Sequence, residues 1–393
     1  MKNKLLFVHP RMAFGGAEKS LQTLLGALDE TQYDVDLFLL RAEGELLELL
    51  PDYVHLLPPQ PTAETFSLPI KDACAAFFKQ GRPDLAFTRA RFSAAVRGHA
   101  SIRALEQRGW KYQRRAYEPL PQVYDAAIAY LEGSPIYFCA DFVRAKRKIA
   151  YIHNDYRKLQ MQASFDAAYL AKFDAIVTVS DACADVLREV FPMLASRVRV
   201  VENIISPSVL RAAAQTGESF DDEYTGLRVL TLGRLEPQKG YDMALDACAA
   251  LAPRYDFRWY VLGDGPQKEA LEEKIHALHL EDRFFLLGTR LNPYPFLQAC
   301  DIYAQPSRFE GKSIALEEAK AFQKPIVTTA FTTVADQIVD GVTGSVAQID
   351  AASIAARLAA LLEDASLRAK YSDNLRAYTG NAREVEKFYA LLA

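Results

Sequence analysis

Short apolar runs alternate with longer amphipathic segments along most of the chain. Apolar runs bounded by turn residues are typical of buried strands, and the longer segments between them have the length and pattern of helices. Strands that alternate with helices in this way predict parallel sheets with helices on their faces. The segments predicted as strands are Lys4–His9, Val35–Leu40, Tyr124–Tyr130, Lys148–His153, Ala175–Ser180, Val198–Glu202, Leu227–Gly233, Arg258–Gly263, Arg283–Gly288, Ile302–Gln305, Pro325–Thr329 and Gly344–Ala347.

The strand pattern is interrupted in the middle of the chain, where residues 206–225 contain Pro207, Gly217 and a run of acidic residues. A chain of 393 residues is long enough for two hydrophobic cores. We therefore predict an α/β protein with two doubly wound sheets, in domains 1–205 and 226–381 joined by a linker over 206–225. Ligands of such sheets bind at the carboxyl ends of the strands, so the chemistry is expected in the loops that follow them.

Composition excludes several classes of protein. The net charge of −4 and the isoelectric point near 6.0 argue against a nucleic-acid binder, which would be strongly basic. No apolar stretch reaches the roughly 18 residues that a membrane-spanning helix needs, and His9-Pro10-Arg11 ends the first apolar run too early for a signal peptide. We expect a cytoplasmic protein with buried thiols at its five cysteines, which are Cys74, Cys139, Cys183, Cys248 and Cys300.

Residues 79–115 are basic, unlike the chain as a whole. They contain ten lysines and arginines against Asp84 and Glu106, for a local charge of +8. Interleaved apolar residues such as Phe87 and Trp110 give the segment the amphipathic character of helices that lie on anionic membranes. Two interpretations stay open: a solvated helical hairpin packed on the first domain, or a surface that contacts a membrane or a lipid acceptor. Nucleic-acid binding is the least favoured.

The most informative motif follows the predicted strand Ile302–Gln305. Glu310 and Glu318 are separated by seven residues, and a helix is expected to begin near Lys312. At about 1.5 Å of rise per residue, Glu318 then lies roughly 9 Å along the helix axis. One carboxylate at the helix mouth and another further along could bind hydroxyl groups on either side of an anion.

The residues between these glutamates suit an anion. Gly311 permits close backbone approach, and the free amides of a helix N-terminus attract negative charge, as does Lys312. Together with Ser313 they form a cradle flanked by carboxylates, which matches the order of sugar, diphosphate and ribose in a nucleotide-sugar. The Gly-Lys-Ser sequence is not a P-loop, because Pro306 stands where that motif requires its first glycine.

A second cationic loop leaves the predicted strand Leu227–Gly233. Arg234 and Lys239 in this loop are the candidates for neutralising a diphosphate leaving group, a task that a divalent metal performs in other enzymes. The loops that end the next two predicted strands contain Gly263 and Arg290, and we predict both on the side of the nucleotide-sugar donor.

The first half of the chain contains weaker candidates. Gly15 and Gly16 follow the first strand and open a helix, but their spacing does not match the dinucleotide-binding motif. His153 ends a predicted strand, and Asn154 and Asp155 beside it could orient the imidazole or an acceptor hydroxyl. Glu132 follows another strand and is a further acceptor-side candidate.

Metal and cofactor sites are not expected. Asp34-Val35-Asp36 has the D-x-D spacing of metal-dependent transferases, yet these acids enter a strand rather than leave one. His276 and His279 are better explained by an exposed polar helix face. We predict no metal ligands and no cofactor.

Together, these motifs resemble family 4 glycosyltransferases, whose GT-B fold consists of two Rossmann-like domains facing across a cleft. The resemblance implies metal-independent transfer of a sugar with retention of anomeric configuration, and a C-terminal helix, here about 382–393, that packs back on the first domain. It also implies residue roles. Arg234 and Lys239 look like the diphosphate clamp, Glu310 like the donor-sugar contact, Glu318 like the ribose contact, Gly16 like the loop glycine near the phosphate, and His153 like the catalytic-region histidine.

The expected function is therefore transfer of a sugar from a nucleotide-diphosphate donor, with UDP the family-based expectation, to a hydroxyl of a glycan or lipid-linked acceptor. Such enzymes serve cell-surface polysaccharide or glycolipid synthesis, and this one is expected on the inner face of the cell membrane if 79–115 binds lipid. Family members often have a small or apolar residue where Lys312 stands. Two alternatives remain: a phosphorylase-like GT-B enzyme, and a non-catalytic protein that binds nucleotide-sugars.

Overall fold

The computed structural model describes residues 2–13, 15–97 and 102–392, and the chain divides into two compact units. The first unit consists of Met1–Ala13, Ala17–Glu202 and Glu384–Ala393. The second consists of Phe14–Gly16 and Asn203–Arg383. The predicted α/β class is confirmed, because each unit is built around one parallel sheet with helices.

The first unit's described residues form a seven-stranded parallel sheet in the order β3-β2-β1-β4-β5-β6-β7. Its strands are β1 (Asn3–His9), β2 (Tyr33–Leu39), β3 (Val54–Leu56), β4 (Val123–Ala129), β5 (Arg144–Ile152), β6 (Ala175–Thr178) and β7 (Val198–Val200). Its helices are α1 (Gly16–Ala27), α2 (Pro61–Ser67), α3 (Ile70–Lys79), α4 (Pro83–Ala95), α5 (Ile102–Gln113), α6 (Ser134–Phe142), α7 (Ala163–Leu170) and α8 (Asp181–Val190).

The second unit has a six-stranded parallel sheet among its described residues, in the order β10-β9-β8-β11-β12-β13. The helices of this unit are α9 (Pro207–Ala213), α10 (Tyr241–Leu251), α11 (Lys268–Ala277), α12 (Tyr294–Ala299), α13 (Ile314–Ala321), α14 (Ala351–Glu363) and α15 (Ala365–Leu375). Its strands are β8 (Leu227–Leu232), β9 (Phe257–Leu262), β10 (Phe284–Leu286), β11 (Ile302–Gln305), β12 (Ile326–Thr329) and β13 (Ser345–Ala347).

Each predicted strand is present, and the sequence pattern misses only β3 among the described strands. The central strands are buried on both faces and therefore read as continuous apolar runs, as the run Leu5–Val8 shows. Val54–Leu56 lies at the sheet edge, with partly buried or exposed side chains. A three-residue edge strand buries too little apolar surface to leave a hydrophobic pattern in the sequence.

Residues 206–225, which the sequence suggests as a linker, are an integral part of the second unit. In α9, the Arg211 guanidinium donates two hydrogen bonds to the carbonyl oxygen of Ala321, at 3.0 and 3.1 Å. The Asp222 carboxylate accepts hydrogen bonds from Arg228 and Arg258 at 2.7 and 2.8 Å. Burial raises the pKa of Asp222, but the hydrogen bonds from Tyr260 and both arginines lower it to about 2. Asp222 therefore anchors this segment to the strands of the second unit.

The C-terminal helix α16 (Glu384–Leu392) belongs to the first unit. Phe388 is fully buried, and its ring stacks on Phe7 of β1 with centroids 6.0 Å apart. The Tyr389 ring stacks on Tyr33 at 5.5 Å, and its hydroxyl accepts a hydrogen bond from the Asp29 amide at 3.0 Å. The last helix thus completes a core that begins with the first strand.

Most of segment 79–115 forms a helical hairpin, α4 and α5, although residues 98–101 lie outside the described part of the chain. Its cations are not uniformly solvated. Arg89 is buried, lies over the rings of Phe66 and Phe92, and donates to the carbonyl oxygens of Phe66 and Leu68. Trp110 is fully buried as well. Tertiary packing therefore turns part of this amphipathic segment inward.

Among the described residues, no helix combines the length and the apolarity needed to cross a membrane. Four of the five cysteines are buried, but Cys74 is only half-buried, which corrects the expectation of five buried thiols.

Removing the Phe388 ring tests the contribution of the last helix. Phe388→Ala should destabilise the first unit by about 3–5 kcal/mol, because a fully buried aromatic leaves a cavity. The chain has two tryptophans, Trp110 in the first unit and Trp259 in the second. Urea unfolding of a Trp259→Phe background, followed by Trp110 fluorescence, therefore reports on the first unit. Phe78→Ala, at a ring that is 56% exposed, is the matched control and should shift stability by no more than about 0.5 kcal/mol.

Candidate functional site

In the second unit, Glu310 lies in the loop that follows β11, and three donors converge on one of its carboxylate oxygens. Lys239 contacts Oε1 with its ammonium at 2.7 Å, and Gln305 and Ser307 donate to the same atom at 2.9 and 2.6 Å. The Glu310 side chain is buried, and a buried charge is stable only when it is paired and hydrogen-bonded. The predicted residues Lys239 and Glu310 thus form one contact, although they are far apart in sequence.

Gln305 and Ser307 are site residues that the sequence analysis missed. Gln305 ends β11, accepts a hydrogen bond from the Tyr303 hydroxyl at 2.6 Å and donates to the Ser307 hydroxyl at 2.7 Å. Both side chains are buried. A polar pair at the end of an apolar strand, Gln305 and Ser307, is the signal that could have identified them, because buried polar groups at that edge need partners.

The loops that contain Lys239 and Glu310 are joined through their backbones. The amide of Arg308 donates to the carbonyl of Gln238 at 2.7 Å, and the Gln238 side chain donates to the carbonyl of Phe309 at 2.8 Å. Arg308 also makes a bidentate ion pair with Asp242, at 2.8 and 2.7 Å. These contacts hold the two loops as one rigid element, which fixes Lys239 against Glu310.

Gly240 makes this close approach possible. Its φ of +69° is left-handed, and a Cβ atom there would lie 2.0 Å from the carbonyl oxygen of Pro306. Any side chain would therefore push the two loops apart. The glycine beside Lys239 is as necessary to the site as the lysine itself.

The helix after Glu310 begins at Ile314, two residues later than the sequence suggests. Ser313 is its N-cap and accepts a hydrogen bond from the amide of Leu316 at 3.3 Å. With this start, Glu318 lies about one helical turn in, roughly 6 Å along the axis instead of 9 Å. The capping serine prefers an extended backbone, which moves the first helical residue past Lys312.

Gln337 holds the loop in front of this helix and was also missed. Its side chain accepts from the amide of Ser313 and donates to the carbonyl of Ser313, both at 2.8 Å. The side-chain NH2 group of Gln337 also donates to the buried carboxylate of Glu317 at 2.8 Å. Because the Gln337 side chain bonds both the amide and the carbonyl of Ser313, it fixes the backbone just after Gly311 and Lys312.

The remaining donor-side candidates have contacts of their own. Glu318 is buried and accepts a hydrogen bond from the Tyr294 hydroxyl at 3.0 Å. Arg234 pairs with Glu236 at 2.9 Å, and Arg290 donates to the carbonyl of Leu287 at 2.6 Å. Arg234 is therefore in the same loop as Lys239, but its ion pair is separate from the Lys239–Glu310 contact.

Gly263 follows β9 where two loops almost touch. A Cβ atom at this position would lie 1.9 Å from the carbonyl oxygen of Gly233, and the φ of +156° also favours glycine. The structure thus explains Gly263 by the packing of the loop after β9 against the loop that leads to Arg234.

In the first unit, Glu132 brings three sequence-predicted residues together. Its carboxylate accepts a hydrogen bond from the amide of His153 at 2.9 Å and one from the Asn154 side chain at 3.0 Å. Asp155 turns away from this group and caps a short turn by accepting from the amide of Arg157 at 3.0 Å. Glu132, His153 and Asn154 thus form a connected site at the carboxyl ends of β4 and β5.

A cation from the basic segment balances Glu132. Arg103 of α5 lies 3.6 Å from the Glu132 carboxylate and 3.0 Å from that of Glu106. Burial raises the pKa of Glu132, but the charge of Arg103 and the hydrogen bonds from the His153 amide and the Asn154 side chain hold that pKa below its ordinary value. The basic segment thereby supplies a structural counter-ion to the predicted acceptor side.

His153 is buried and has a low proton affinity. Burial lowers the pKa of its imidazole to about 4, against the opposing influence of Glu132 and of a hydrogen bond to the backbone of Tyr130. Burial also lowers the pKa of His9 to about 3. Both imidazoles are therefore neutral at physiological pH, so His153 cannot act as a charged acid there.

Gly15 and Gly16 stand where α1 opens, and Phe14 before them lies outside the described residues. Within the described part of the chain, no group of three or more histidine, cysteine, aspartate or glutamate side chains has the arrangement of a metal site.

The low pKa of His153 predicts how stability changes with acidity. Between about pH 6.5 and pH 4 the unfolded chain binds a proton at this imidazole and the folded chain does not, so stability falls as the pH falls. His153→Gln should reduce that loss by on the order of 1 kcal/mol per pH unit. Urea unfolding of the Trp259→Phe background across this range measures it. His55→Gln, at an exposed imidazole, is the control, and parallel curves for wild type and His153→Gln would contradict the prediction.

Most of the second unit matches a known sequence family. Residues 221–378 match the sequence family described as glycosyl transferases group 1. This segment contains Arg234, Lys239, Glu310 and Glu318, and so includes the paired loops described above.

Individual relatives point the same way. One relative is the N-acetylgalactosamine-N,N'-diacetylbacillosaminyl-diphospho-undecaprenol 4-alpha-N-acetylgalactosaminyltransferase of Campylobacter jejuni. The two chains are 27% identical over 230 residues, and the aligned region covers 58% of this chain and 61% of that protein. This chain is 28% identical over 211 residues to the alpha-D-kanosaminyltransferase of Streptomyces kanamyceticus, covering 52% and 55%. The matched regions thus span less than two thirds of these relatives.

Solved structures show the fold. Anabaena HepE in complex with UDP-glucose superposes with a TM-score of 0.70 at 17% identity, covering 99% of this chain and 98% of that one. A TarM variant from S. aureus, in complex with fondaparinux, alpha-GlcNAc-glycerol and UDP, gives a TM-score of 0.67 at 12% identity and covers 99% of both chains. The chain therefore has the GT-B fold, with two Rossmann-like units, and its residues 221–378 match the group 1 glycosyl transferases.

Proposed function

We propose that this protein is a retaining, metal-independent glycosyltransferase of family 4 that transfers a sugar from a UDP-sugar to a hydroxyl of a glycan or lipid-linked acceptor. The observation that carries the proposal is the pairing of Lys239 with buried Glu310, beside the capped N-terminus of α13, within the segment that matches glycosyl transferases.

The second unit supplies the donor side. The positive end of the α13 dipole and the ammonium of Lys239 present positive charge in a region whose backbone is held by Gln337 and by the Arg308–Asp242 pair. A preorganised positive site stabilises the charge that develops on a departing diphosphate without rearrangement. Arg234 and Arg290 complete this side, and protein cations take the place of a divalent metal.

Glu310 and Glu318 hold the hydroxyl groups on either side of the diphosphate. The three side-chain contacts described for the Glu310 carboxylate all use Oε1, so protein donors orient this carboxylate. We assign Glu310 to the donor sugar. Glu318, held by Tyr294, is assigned to the ribose.

The first unit supplies the acceptor side. Because the pKa of His153 is lowered to about 4, this imidazole orients a hydroxyl group rather than delivering a proton. The proposed reaction is departure of UDP and attack by the acceptor hydroxyl on the same face of an oxocarbenium-like sugar, with the leaving diphosphate taking the proton. Gly15, Gly16, Glu132, Asn154 and Asp155 shape the surroundings.

The names of similar proteins support the proposed substrate classes. The Campylobacter jejuni relative is named for a diphospho-undecaprenol substrate, and the Anabaena neighbour is solved with UDP-glucose. We accordingly propose a role in cell-surface polysaccharide or glycolipid synthesis, in the cytoplasm at the inner face of the cell membrane.

Two exposed aromatic rings give a basis for membrane contact. Phe78 of α3 and Phe87 of α4 are 56% and 66% exposed, and their rings contact each other edge to face with centroids 6.2 Å apart. Exposed cations on these two helices and in the turn between them are Lys71, Lys79, Arg82 and Arg91. Aromatic rings beside basic residues match the interface of an anionic bilayer.

The donor site predicts the effect of neutral substitutions. Lys239→Met and Glu310→Gln should each lower the rate of UDP release from UDP-sugars by about 100-fold or more, because each removes a group aimed at the reacting centre. Lys239→Met should also abolish the rise in melting temperature that UDP produces in the wild-type protein. Circular dichroism verifies that the variants are folded.

Lys268→Met is the matched control, since Lys268 is an exposed lysine of the same unit, and it should release UDP at the wild-type rate. Wild-type rates in both test variants would contradict the proposed site. Sugar release that requires inorganic phosphate would favour a phosphorylase, and a UDP-induced melting shift without any turnover would favour a binding protein.

Membrane contact predicts binding to vesicles. The wild-type chain should bind vesicles that contain phosphatidylglycerol, and Phe78→Ser with Phe87→Ser should weaken this binding by tenfold or more, since burying one Phe side chain contributes about 1.5–3 kcal/mol. Co-sedimentation measures both. Raising the salt concentration from about 0.05 M to about 0.5 M should also weaken vesicle binding by the wild-type chain.

Met193→Ser is the control for this experiment, because Met193 is 92% exposed in the same unit but lies outside α3 and α4. Absence of wild-type binding at low salt would contradict membrane contact and would favour a soluble acceptor.

A further inference from the structure

Glu317 lies directly before Glu318 on α13, and its side chain is buried as well. Successive residues of a helix do not face each other, so the two carboxylates have separate partners. Tyr294 donates to Glu318, whereas the partners of Glu317 come from α13 itself and from two later parts of the chain. The donor site proposed above gives Glu317 no role.

Three side chains hold the Glu317 carboxylate. Gln337 donates its side-chain amide to Oε1 at 2.8 Å, and the Tyr378 hydroxyl donates to Oε2 at 2.5 Å. The Lys320 ammonium lies 3.0 Å from Oε2 and 4.5 Å from the centroid of the Tyr378 ring. A buried carboxylate is stable only with a cation and with hydrogen bonds to its oxygens, and Glu317 has both. The orientation of this carboxylate is therefore fixed.

Glu317 in turn fixes the orientation of Gln337. A carboxamide has an oxygen that accepts and a nitrogen that donates two hydrogen atoms. The Gln337 nitrogen donates to Glu317 and to the carbonyl of Ser313, and its oxygen accepts from the amide of Ser313. Turning the carboxamide over would place its oxygen against two acceptors and its nitrogen against an N–H group. One orientation alone satisfies all three contacts.

Gln337 and Thr333 hold the two ends of loop 310–313. The buried Thr333 hydroxyl donates to the carbonyl of Glu310 at 3.0 Å, and Gln337 bonds Ser313 at the other end. The short turn Val334–Asp336 connects the two side chains. One segment thus holds the loop at both ends, and its hold on Ser313 requires the observed orientation of Gln337.

The position of Ser313 matters because this residue is the N-cap of α13. An N-cap determines where a helix begins and which amides point at an anion. Stabilising the charge on a leaving group requires donors that are already in place, so a small displacement of this loop is costly. A residue that keeps Ser313 in place therefore acts on the donor site without touching the donor.

We propose that Glu317 is a positioning residue of the donor site, because it selects the orientation in which Gln337 holds loop 310–313. The inference rests on the proposed function, since that function assigns the loop to a diphosphate. It excludes a carboxylate at position 337 while Glu317 is present. Such a carboxylate would have no hydrogen atom for the carbonyl of Ser313, and it would repel Glu317.

Two substitutions that change charge test this coupling. Gln337→Glu keeps the shape of the side chain but opposes two buried carboxylates, and it should weaken UDP binding by about tenfold or more. Adding Glu317→Gln removes the repulsion and supplies an N–H group to the new carboxylate. The double variant should therefore bind UDP about tenfold more tightly than Gln337→Glu alone, which is the non-additivity expected of residues in contact. Isothermal titration calorimetry measures the affinities of both variants and of the wild-type protein.

Folding is followed in the same proteins through Trp259, the tryptophan of the second unit, in a Trp110→Phe background. If Gln337→Glu does not fold, recovery of folding by Glu317→Gln supports the coupling. A UDP affinity of folded Gln337→Glu equal to that of the wild-type protein would overturn it. So would a double variant that improves on Gln337→Glu neither in UDP affinity nor in folding.

Two controls separate positioning from general effects. Gln348→Glu makes the same charge change at an exposed glutamine of the same unit and should bind UDP like the wild-type protein. Ile354→Val removes a methylene group from a buried side chain of that unit, so it should lower the urea midpoint without changing the UDP affinity. If Ile354→Val weakened UDP binding as much as Gln337→Glu does, lost stability would explain the effect and the positioning role would be overturned.

Hydrogen exchange keeps the test independent of the proposed function. If the wild-type protein does not bind UDP, the proposed function is contradicted, but the amide of Ser313 still reports on Gln337. Exchange at this amide should be about tenfold or more faster in Gln337→Glu than in the wild-type protein, because the repelled side chain leaves Ser313, and it should slow again in the double variant. Equal exchange in all three proteins would overturn the role of Glu317.

Discussion

A buried glutamate at the carboxyl edge of each sheet has to be matched by a cation from another part of the chain. In the first unit Glu132 is balanced by Arg103 of α5, and in the second unit Glu310 is balanced by Lys239 of the loop after β8. A carboxylate removed from water is stable only with such a partner and with hydrogen bonds to its remaining lone pairs. Each pair thereby fixes the loops that surround it.

The residues that surround the two buried ion pairs differ in charge. Glu310 pairs with Lys239 just before the N-terminus of α13, and these surroundings suit an anion. Beside Glu132 lie the neutral imidazole of His153 and the rings of Tyr130 and Tyr151 that pack on it. The carboxyl edges of the two sheets therefore provide different environments, although a buried ion pair stabilises each of them.

The basic segment 79–115 shows how packing redistributes charge. Its sequence reads as one amphipathic stripe, yet Arg89 is buried against aromatic rings and Arg103 serves Glu132. The surface of α3 and α4 retains a smaller group of cations and the two exposed phenylalanines Phe78 and Phe87. The segment therefore combines internal support of Glu132 with exposed cations and an exposed aromatic ring.

The sequence by itself determined the sheet strands and the candidate loops, because strands buried on both faces must be apolar and because glycine, cations and carboxylates at their ends leave recognisable spacing. It could not identify β3, whose three residues bury little surface, nor the supporting residues Gln305, Ser307, Gln337 and Arg103. The roles of those residues depend on partners that are distant in sequence. Lys239 and Glu310, for example, are 71 positions apart in the chain and yet form an ion pair. Only the tertiary structure decided which buried polar atoms are paired and which, like Nε2 of His9, are not. The physical reason is that hydrogen bonding and desolvation depend on distances between atoms, and local sequence patterns do not specify the distances between separate strands and loops.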